Sequence, residues 1–185
     1  MAKFAKVTVT DIDLGWGNWM RESAILNGSY VDIGIFPDAG NHPGGSRLFS
    51  RQGGQEPHMA QIGFWNEFGT EHMPERSFIR STMSEKEREL RDKIISDLNR
   101  LNIRRMKASA LLKKVGLFVK GSIKDKINLL RSPPNAKRTV EIKGFNDPLV
   151  DTRAMMNSIK FQTFFSAAGI FFNPNKAFQK LSGTF

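Results

Sequence analysis

Residues 84–130 read SEKERELRDKIISDLNRLNIRRMKASALLKKVGLFVKGSIKDKINLL, and their pattern decides the fold. Apolar side chains recur there every three or four positions, as they do along one face of a helix. Ser84 and Glu87 have the spacing of a capping box, so we expect the helical region to begin at this point. Pro133 and Pro134 cannot continue a helix and predict its end. The recurring apolar residues are Leu90, Ile94, Leu98, Leu101, Ala108, Leu111, Leu112, Val115, Phe118, Val119, Ile123, Ile127 and Leu130.

The length of this region leaves its continuity open. Helices in globular proteins are usually much shorter, so the pattern fits one long bent helix or two consecutive helices. The segment Ile103–Lys107 and the glycines Gly116 and Gly121 are the candidate positions for a bend or a break.

Short segments on both sides of the helical region have the residue types of β-strands. The last two should form a hairpin through Ser166-Ala167-Ala168. We therefore predict an α+β fold, in which a small, mostly antiparallel sheet packs against one long or two consecutive helices, with extended loop and arm segments. A single domain should span residues 1–173, followed by a tail at 174–185. The four predicted strands are residues 6–10, 30–36, 159–165 and 169–173.

Two shorter helices and one long loop complete the predicted organisation. Met59–Phe68 suits a short amphipathic helix that ends at Gly69. A second short helix should end at Ser158, with Asp151 or Thr152 as its N-cap. Residues 38–57, which precede the first of these helices, contain five glycines and two prolines and should form a long loop.

Composition narrows the class of protein. The 185 residues are 39% hydrophobic and 25% charged, which is enough apolar sequence for one domain with a core. The absence of cysteine excludes disulfides, thiol catalysis and cysteine-ligated zinc. No apolar run is long enough to cross a membrane, and the N-terminus lacks the apolar core of a signal peptide. We therefore expect a soluble protein made in the cytoplasm.

Positive charge is concentrated in the helical region. The net charge is +10, yet residues 1–83 hold seven basic and nine acidic side chains, net −2. Residues 100–131 carry ten basic side chains against Asp125 alone, which favours DNA phosphate, an acidic protein surface or a membrane surface as partner. A solvated helix face is the alternative. The ten are Arg100, Arg104, Arg105, Lys107, Lys113, Lys114, Lys120, Lys124, Lys126 and Arg131.

The sequence offers no pattern of catalytic residues. It contains no phosphate-binding loop with a trailing Lys-Ser/Thr and no serine nucleophile motif. The histidines His42, His58 and His72 have spacings that fit no helical metal pair. We therefore expect neither an enzyme nor a cofactor or metal site.

Two blocks of sequence stand out from ordinary domain sequence. The first comprises IGFWNEFGT at 62–70 and MPERSFIR at 73–80; the second comprises PPNAKRTV at 133–140 and KGFNDPLVDTRAMMNSI at 143–159. In this order, separated by a basic helical region, they resemble the tail-completion and neck (head–tail connector) proteins of long-tailed bacteriophages. The resemblance spans roughly residues 30–165. Two positions depart from the family pattern, since Ser77 replaces a frequent proline and Arg153 replaces the usual glycine.

The resemblance implies a structural virion protein without covalent chemistry. Such a protein would form a homo-oligomeric ring, a hexamer, around the DNA channel in the neck, contact the adaptor and the tail-tube or terminator proteins, and assemble in the host cytoplasm. A tail terminator ring and a nucleic-acid-binding protein using helix 100–131 are the alternatives. Structural turns, helix caps and solvated faces are the competing interpretations for single residues. The candidate contact residues are Glu67, Phe68, Gly69, Thr70, Arg76, Phe78, Arg80, Arg104, Arg105, Lys113, Lys114, Asp151 and Arg153.

Overall fold

The computed structural model describes residues 15–42, 56–102 and 106–166. Their fold is α+β, as predicted, with six α-helices and one two-stranded antiparallel sheet in the described part of the chain. The elements are α1 (Trp16–Leu26), β1 (Tyr30–Ile35), a 3₁₀ turn (Pro37–Ala39), α2 (Met59–Phe68), α3 (Arg80–Asn102), α4 (Ala108–Leu129), α5 (Lys137–Lys143), α6 (Ala154–Ser158) and β2 (Ile159–Phe164).

Several sequence predictions lie outside the described residues. These are the strands at 6–10 and 169–173, the hairpin that the second of them would close, the tail at 174–185, and residues 43–55 of the long loop. Arg104 and Arg105 lie outside as well. The two ends of that loop are held side by side, because the His42 amide donates to the Pro57 carbonyl at 2.9 Å.

The long helical region consists of two helices. Gly116 and Gly121 lie inside α4 without interrupting it, so the break falls between α3 and α4. The two helices run antiparallel, since Lys114 pairs with Asp97 at 3.0 Å while Lys126 pairs with Glu85. Basic side chains of α4 therefore face acidic side chains of α3 within the chain.

The predicted start of the helical region at Ser84 is wrong. α3 begins four residues earlier, at Arg80, and Ser84 lies within it. The capping group comes from another helix, because the Glu67 carboxylate of α2 accepts the backbone amides at the start of α3. A capping box read from local spacing misses a cap that is distant in sequence.

The predicted N-cap of α6 is also wrong. The helix begins at Ala154, and its N-cap is Arg153 with φ 60° and ψ 8°, rather than Asp151 or Thr152. Leu149 also has a positive φ, of 58°, so the chain turns twice before the helix can start. The Thr152 hydroxyl lies 3.4 Å from the Ala154 amide, which is a weak capping contact.

The core lies between α4, the sheet and α2. β1 and β2 pair with Tyr30 opposite Phe164 and Ile35 opposite Ile159, and α4 packs across both strands. Gly116 permits this close approach: a Cβ at that position would lie 2.6 Å from Cγ of Phe161. The buried core residues are Met59, Ile62, Phe78, Val119, Ile123, Ile127, Met155 and Ile159.

A second, smaller cluster holds α1 against the junction of the two long helices. Leu101, Ala108 and Leu111 are buried there. The Glu22 carboxylate accepts the Ala108 amide at 2.7 Å, so α4, like α3, is capped by a carboxylate from another helix. Among the helices of the described ranges, none combines the length and apolar character needed to cross a membrane.

Candidate functional site

Glu67 joins α2 to the start of α3. Its side chain is almost fully buried and accepts five hydrogen bonds from the following segment, including one from Nε of Arg80 at 3.2 Å. Oε2 accepts from the amides of Phe78 and Ile79 at 2.8 and 2.9 Å. Oε1 accepts from the Arg80 amide at 2.9 Å and the Ser77 hydroxyl at 2.8 Å. One carboxylate therefore satisfies three successive amides at the start of α3, those of the two residues before the helix and of its first residue.

These donors determine the charge state of Glu67. Burial by itself raises the pKa of the carboxyl, but the amides of Ile79, Arg80 and Phe78 and the Ser77 hydroxyl outweigh burial and lower the pKa below its ordinary value. Glu67 is thus ionised at neutral pH. The ionised form also agrees with its place at a helix N-terminus.

α2 ends before Gly69, as the sequence predicted, and Gly69 and Thr70 form a tight reversal there. Gly69 has φ 75°, and a Cβ there would lie 2.9 Å from the Glu75 nitrogen. Thr70 and Met73 exchange two backbone hydrogen bonds, at 2.8 and 3.2 Å. Glycine is required at position 69 by both its dihedral angle and its surroundings.

The outer side of α2 presents an aromatic patch formed by Phe64, Phe68 and Arg80. Phe64 and Phe68 are 60% and 51% exposed, and their ring centroids lie 4.8 Å apart. The Arg80 guanidinium lies over the Phe68 ring, 4.4 Å from its centroid, and pairs with Glu75 at 2.7 Å. Large exposed aromatic side chains that are held in place are typical of contact surfaces.

Arg76 connects the two sequence blocks. Its Nε donates to the Pro133 carbonyl at 2.9 Å, and its Nη2 donates to the Pro134 carbonyl at 2.7 Å. The residue is 6% exposed, and burial lowers the pKa of its guanidinium. No carboxylate of the described ranges forms a salt bridge with it. Arg76 is therefore a buried cation held by neutral carbonyl groups.

A cavity of about 590 Å³ lies where the two blocks meet. Its wall is mostly apolar, and three cationic side chains, Arg76, Lys143 and Arg153, line it together with one carboxylate, Asp151. The apolar and neutral lining comes from both blocks. It includes Ile62, Asn66, Met73, Pro74, Pro134, Asn135, Ala136, Thr139, Leu149, Val150, Thr152, Ala154 and Met155, with His42 and His72.

Lys143, at the end of α5, is the second cation of this wall. Its ammonium donates to the Asp147 carbonyl at 2.7 Å and to the Val150 carbonyl. Burial lowers the pKa of Lys143, the carboxylates of Asp151 and Asp147 oppose that shift, and the Arg76 charge adds to it. The two cations thus lie close enough to repel each other.

The candidate contact residues fall into separate places in the fold. Glu67, Gly69, Thr70 and Arg80 surround the α2–α3 junction, and Asp151 and Arg153 lie on the cavity wall with Arg76. Phe78, one of the candidate contact residues, is fully buried in the core of its own chain. Lys113 and Lys114 lie on α4, away from both, and Lys114 is already paired with Asp97.

Sequence reasoning missed Lys143 and Asn135 as candidate residues. Both lie in the second sequence block, yet nothing in the spacing of KGFNDPLVD shows that the lysine is half-buried. Its burial follows from the way residues 144–153 fold back over α5. Phe64 also belongs to the first block, but its exposure depends on which face of α2 packs inward, which the sequence does not show.

Comparisons with models of known protein families, with curated proteins and with solved structures find no significant match.

Proposed function

We propose that this protein is a structural subunit of a tailed bacteriophage virion, forming a ring in the neck or tail-completion region that joins tail to head around the DNA channel. The observation that carries the proposal is the aromatic patch of Phe64, Phe68 and Arg80. It lies within the first sequence block, the part of the chain that resembles connector and tail-completion proteins.

The patch suits a protein contact because it is both apolar and fixed. Phe68 is held by the Arg80 guanidinium, and Arg80 is held by Glu67 and Glu75, at 3.2 and 2.7 Å. Ordering a surface before binding reduces the entropy cost of association. Phenylalanine and arginine are also residue types that are enriched in protein interfaces.

The backbone at Arg153 gives separate support. The resemblance has glycine at this position, and the chain adopts φ 60° there, a conformation that favours glycine. Arg76 adds a second point, because it ties the first block to the start of the second through two carbonyl groups. The two blocks thus act as one structural unit rather than as two unrelated segments.

The charge pattern favours a ring subunit over a nucleic-acid-binding protein. Lys114 and Lys126 of α4 are paired with Asp97 and Glu85 of α3, which reduces the positive charge available to phosphate. Steep salt dependence of DNA binding needs many free cations on one surface. In a ring, subunits contact each other head to tail, so the patch of one subunit would meet a different surface of the next.

Removal of both phenylalanines should block assembly without unfolding the subunit. In the variant Phe64→Ser with Phe68→Ser, we expect the yield of joined particles to fall by about tenfold or more, because truncating central aromatic anchors costs an interface most of its energy. The measurement is complementation of a phage that lacks the gene, scored by infectious particles and by electron microscopy of unjoined heads and tails.

The matched control is Leu129→Ser, which removes a 74% exposed apolar side chain elsewhere on the surface. Both proteins should keep the thermal unfolding midpoint of the wild type within a few degrees, since the changed side chains are exposed. Full particle yield from the double variant would contradict the assignment of the patch to an essential contact.

A further inference from the structure

The cavity between the two sequence blocks is lined by several hydrogen-bond donors, one of which has no acceptor in the described part of the chain. Arg76 and Lys143 line it as buried or half-buried cations. Asn135 lines it as well, and its side-chain nitrogen is buried without a hydrogen-bond acceptor in the part of the chain that the structure describes. A buried donor without an acceptor costs free energy, so binding of a ligand that supplies the missing acceptor is favoured.

The charges of the wall indicate the sign of the charge that such a ligand would carry. Three lining side chains are cationic and one is anionic, so the wall carries an excess of two positive charges. Within the described ranges the Arg76 guanidinium donates to the neutral carbonyls of Pro133 and Pro134 and forms no salt bridge with a carboxylate. An entering anion would offset the repulsion between Arg76 and Lys143, whereas an entering cation would increase it.

The apolar part of the wall indicates that the rest of the ligand is apolar. Ile62, Met73, Leu149, Val150 and Met155 supply apolar surface. A cavity of about 590 Å³ is within the range of small-molecule sites, which combine an apolar lining with a few placed polar groups. A free inorganic anion would leave this apolar surface without a partner.

We infer that this cavity is a binding site for a small organic acid, with its carboxylate toward Arg76, Lys143 and Asn135 and its apolar body against the remaining wall. The inference goes beyond the assembly role and does not depend on it, because a single folded chain contains the whole cavity. A carboxylate fits the donors better than a hydroxyl does, since charge-assisted hydrogen bonds are the stronger ones.

The test is isothermal titration calorimetry of the full chain with octanoate, octanol and inorganic phosphate. Octanoate should bind about tenfold more tightly than octanol, which has the same chain length without the charge. Phosphate, which lacks the apolar body, should bind more weakly than octanoate. In parallel, the methyl NMR signals of Met73 and Met155 on the wall should shift with octanoate, while that of Met83 on α3 should not.

Two lysines of α5 provide a matched pair of variants. Lys143→Met should remove the preference for octanoate over octanol, because it removes a cation of the wall. Lys137→Met removes the same charge from an exposed position outside the wall and should leave octanoate affinity within about twofold. If the first variant does not fold, Ala136→Trp, which adds bulk at an exposed position of the wall, should lower octanoate affinity by about tenfold.

Each outcome decides the inference. Preferential octanoate binding that is localised at Met73 and Met155, and is lost in the cavity variants, supports it. Equal affinity for octanol, equal affinity for phosphate, shifts at Met83 alone, or unchanged octanoate binding in both Lys143→Met and Ala136→Trp would overturn it. None of these results depends on ring assembly, so the site can fail while the assembly proposal stands, and the reverse.

Discussion

Replacing Glu67 with alanine should destabilise the protein by about 3 kcal/mol, the largest effect that we expect of a single side chain. The substitution removes the acceptor of three backbone amides, those of Phe78, Ile79 and Arg80, and of the Ser77 hydroxyl. Ordinary helix caps contribute about 1 kcal/mol, but here buried donors would also be left without partners. The measurement is urea unfolding followed by circular dichroism.

Glu75→Ala is the matched control, because Glu75 pairs with the same guanidinium of Arg80 from an exposed position. Its loss should cost less than about 1 kcal/mol. Equal destabilisation by the two variants would show that Glu67 does not act as the cap of α3.

The pH dependence of stability should carry the signature of Glu67. Because the pKa of Glu67 is lower in the folded state, the folded chain binds a proton at this carboxylate more weakly than the unfolded chain does. The resulting stabilisation is complete above the ordinary carboxyl pKa and is lost as the pH falls through the folded pKa. In Glu67→Gln this part of the acid dependence should disappear, which unfolding curves from neutral pH down to the acid range would show.

Replacing Gly116 with alanine should destabilise the protein by about 2 kcal/mol, although alanine favours helices. The added methyl group would lie 2.6 Å from Cγ of Phe161, so the phenylalanine side chain or the helix must shift to make room. The ring and α4 would have to separate, which also loosens the packing between the helix and the sheet. Thermal unfolding of the variant measures the cost.

Gly121→Ala, five residues further along α4, isolates the contact from helix propensity. A Cβ at Gly121 would meet nothing within 4 Å. That variant should be more stable than the wild type, by up to about 1 kcal/mol. If both alanines stabilise the protein, Gly116 is not required for the approach of Phe161.

Elements with a strong local pattern could be predicted from the sequence. α2 and its end at Gly69, the strands β1 and β2, and the helical character of residues 84–102 and 108–129 follow from apolar spacing and turn residues. These signals are local, because the side chains that form them lie within a few positions of each other.

What the sequence could not show depends on contacts between distant residues. The start of α3 is set by Glu67, thirteen residues before Arg80, and the start of α4 by Glu22, which is 86 residues from Ala108. The cavity likewise needs Arg76 to reach the carbonyls of Pro133 and Pro134, 57 and 58 residues away. Spacing along the chain contains no signal for such pairings.

The residues of the candidate site also differ in whether the sequence could identify them. The residues Glu67, Arg76 and Arg80 were identified because they belong to a recognisable block, and all three make the tertiary contacts that organise the junction. Lys143 was not identified, because its burial depends on the turns at Leu149 and Arg153. Positive φ at residues other than glycine is uncommon and is not readable from composition.

The central proposal, that this chain is a ring subunit of a phage neck, is tested most directly by the copy number of the chain in purified virus particles. Quantitative mass spectrometry against the major capsid and tail-tube proteins gives that number. A ring subunit predicts a fixed copy number equal to one closed ring, with six as the number that the resemblance implies, and a matching ring of density in the neck by electron microscopy. One or two copies per particle, or none, would contradict the proposal.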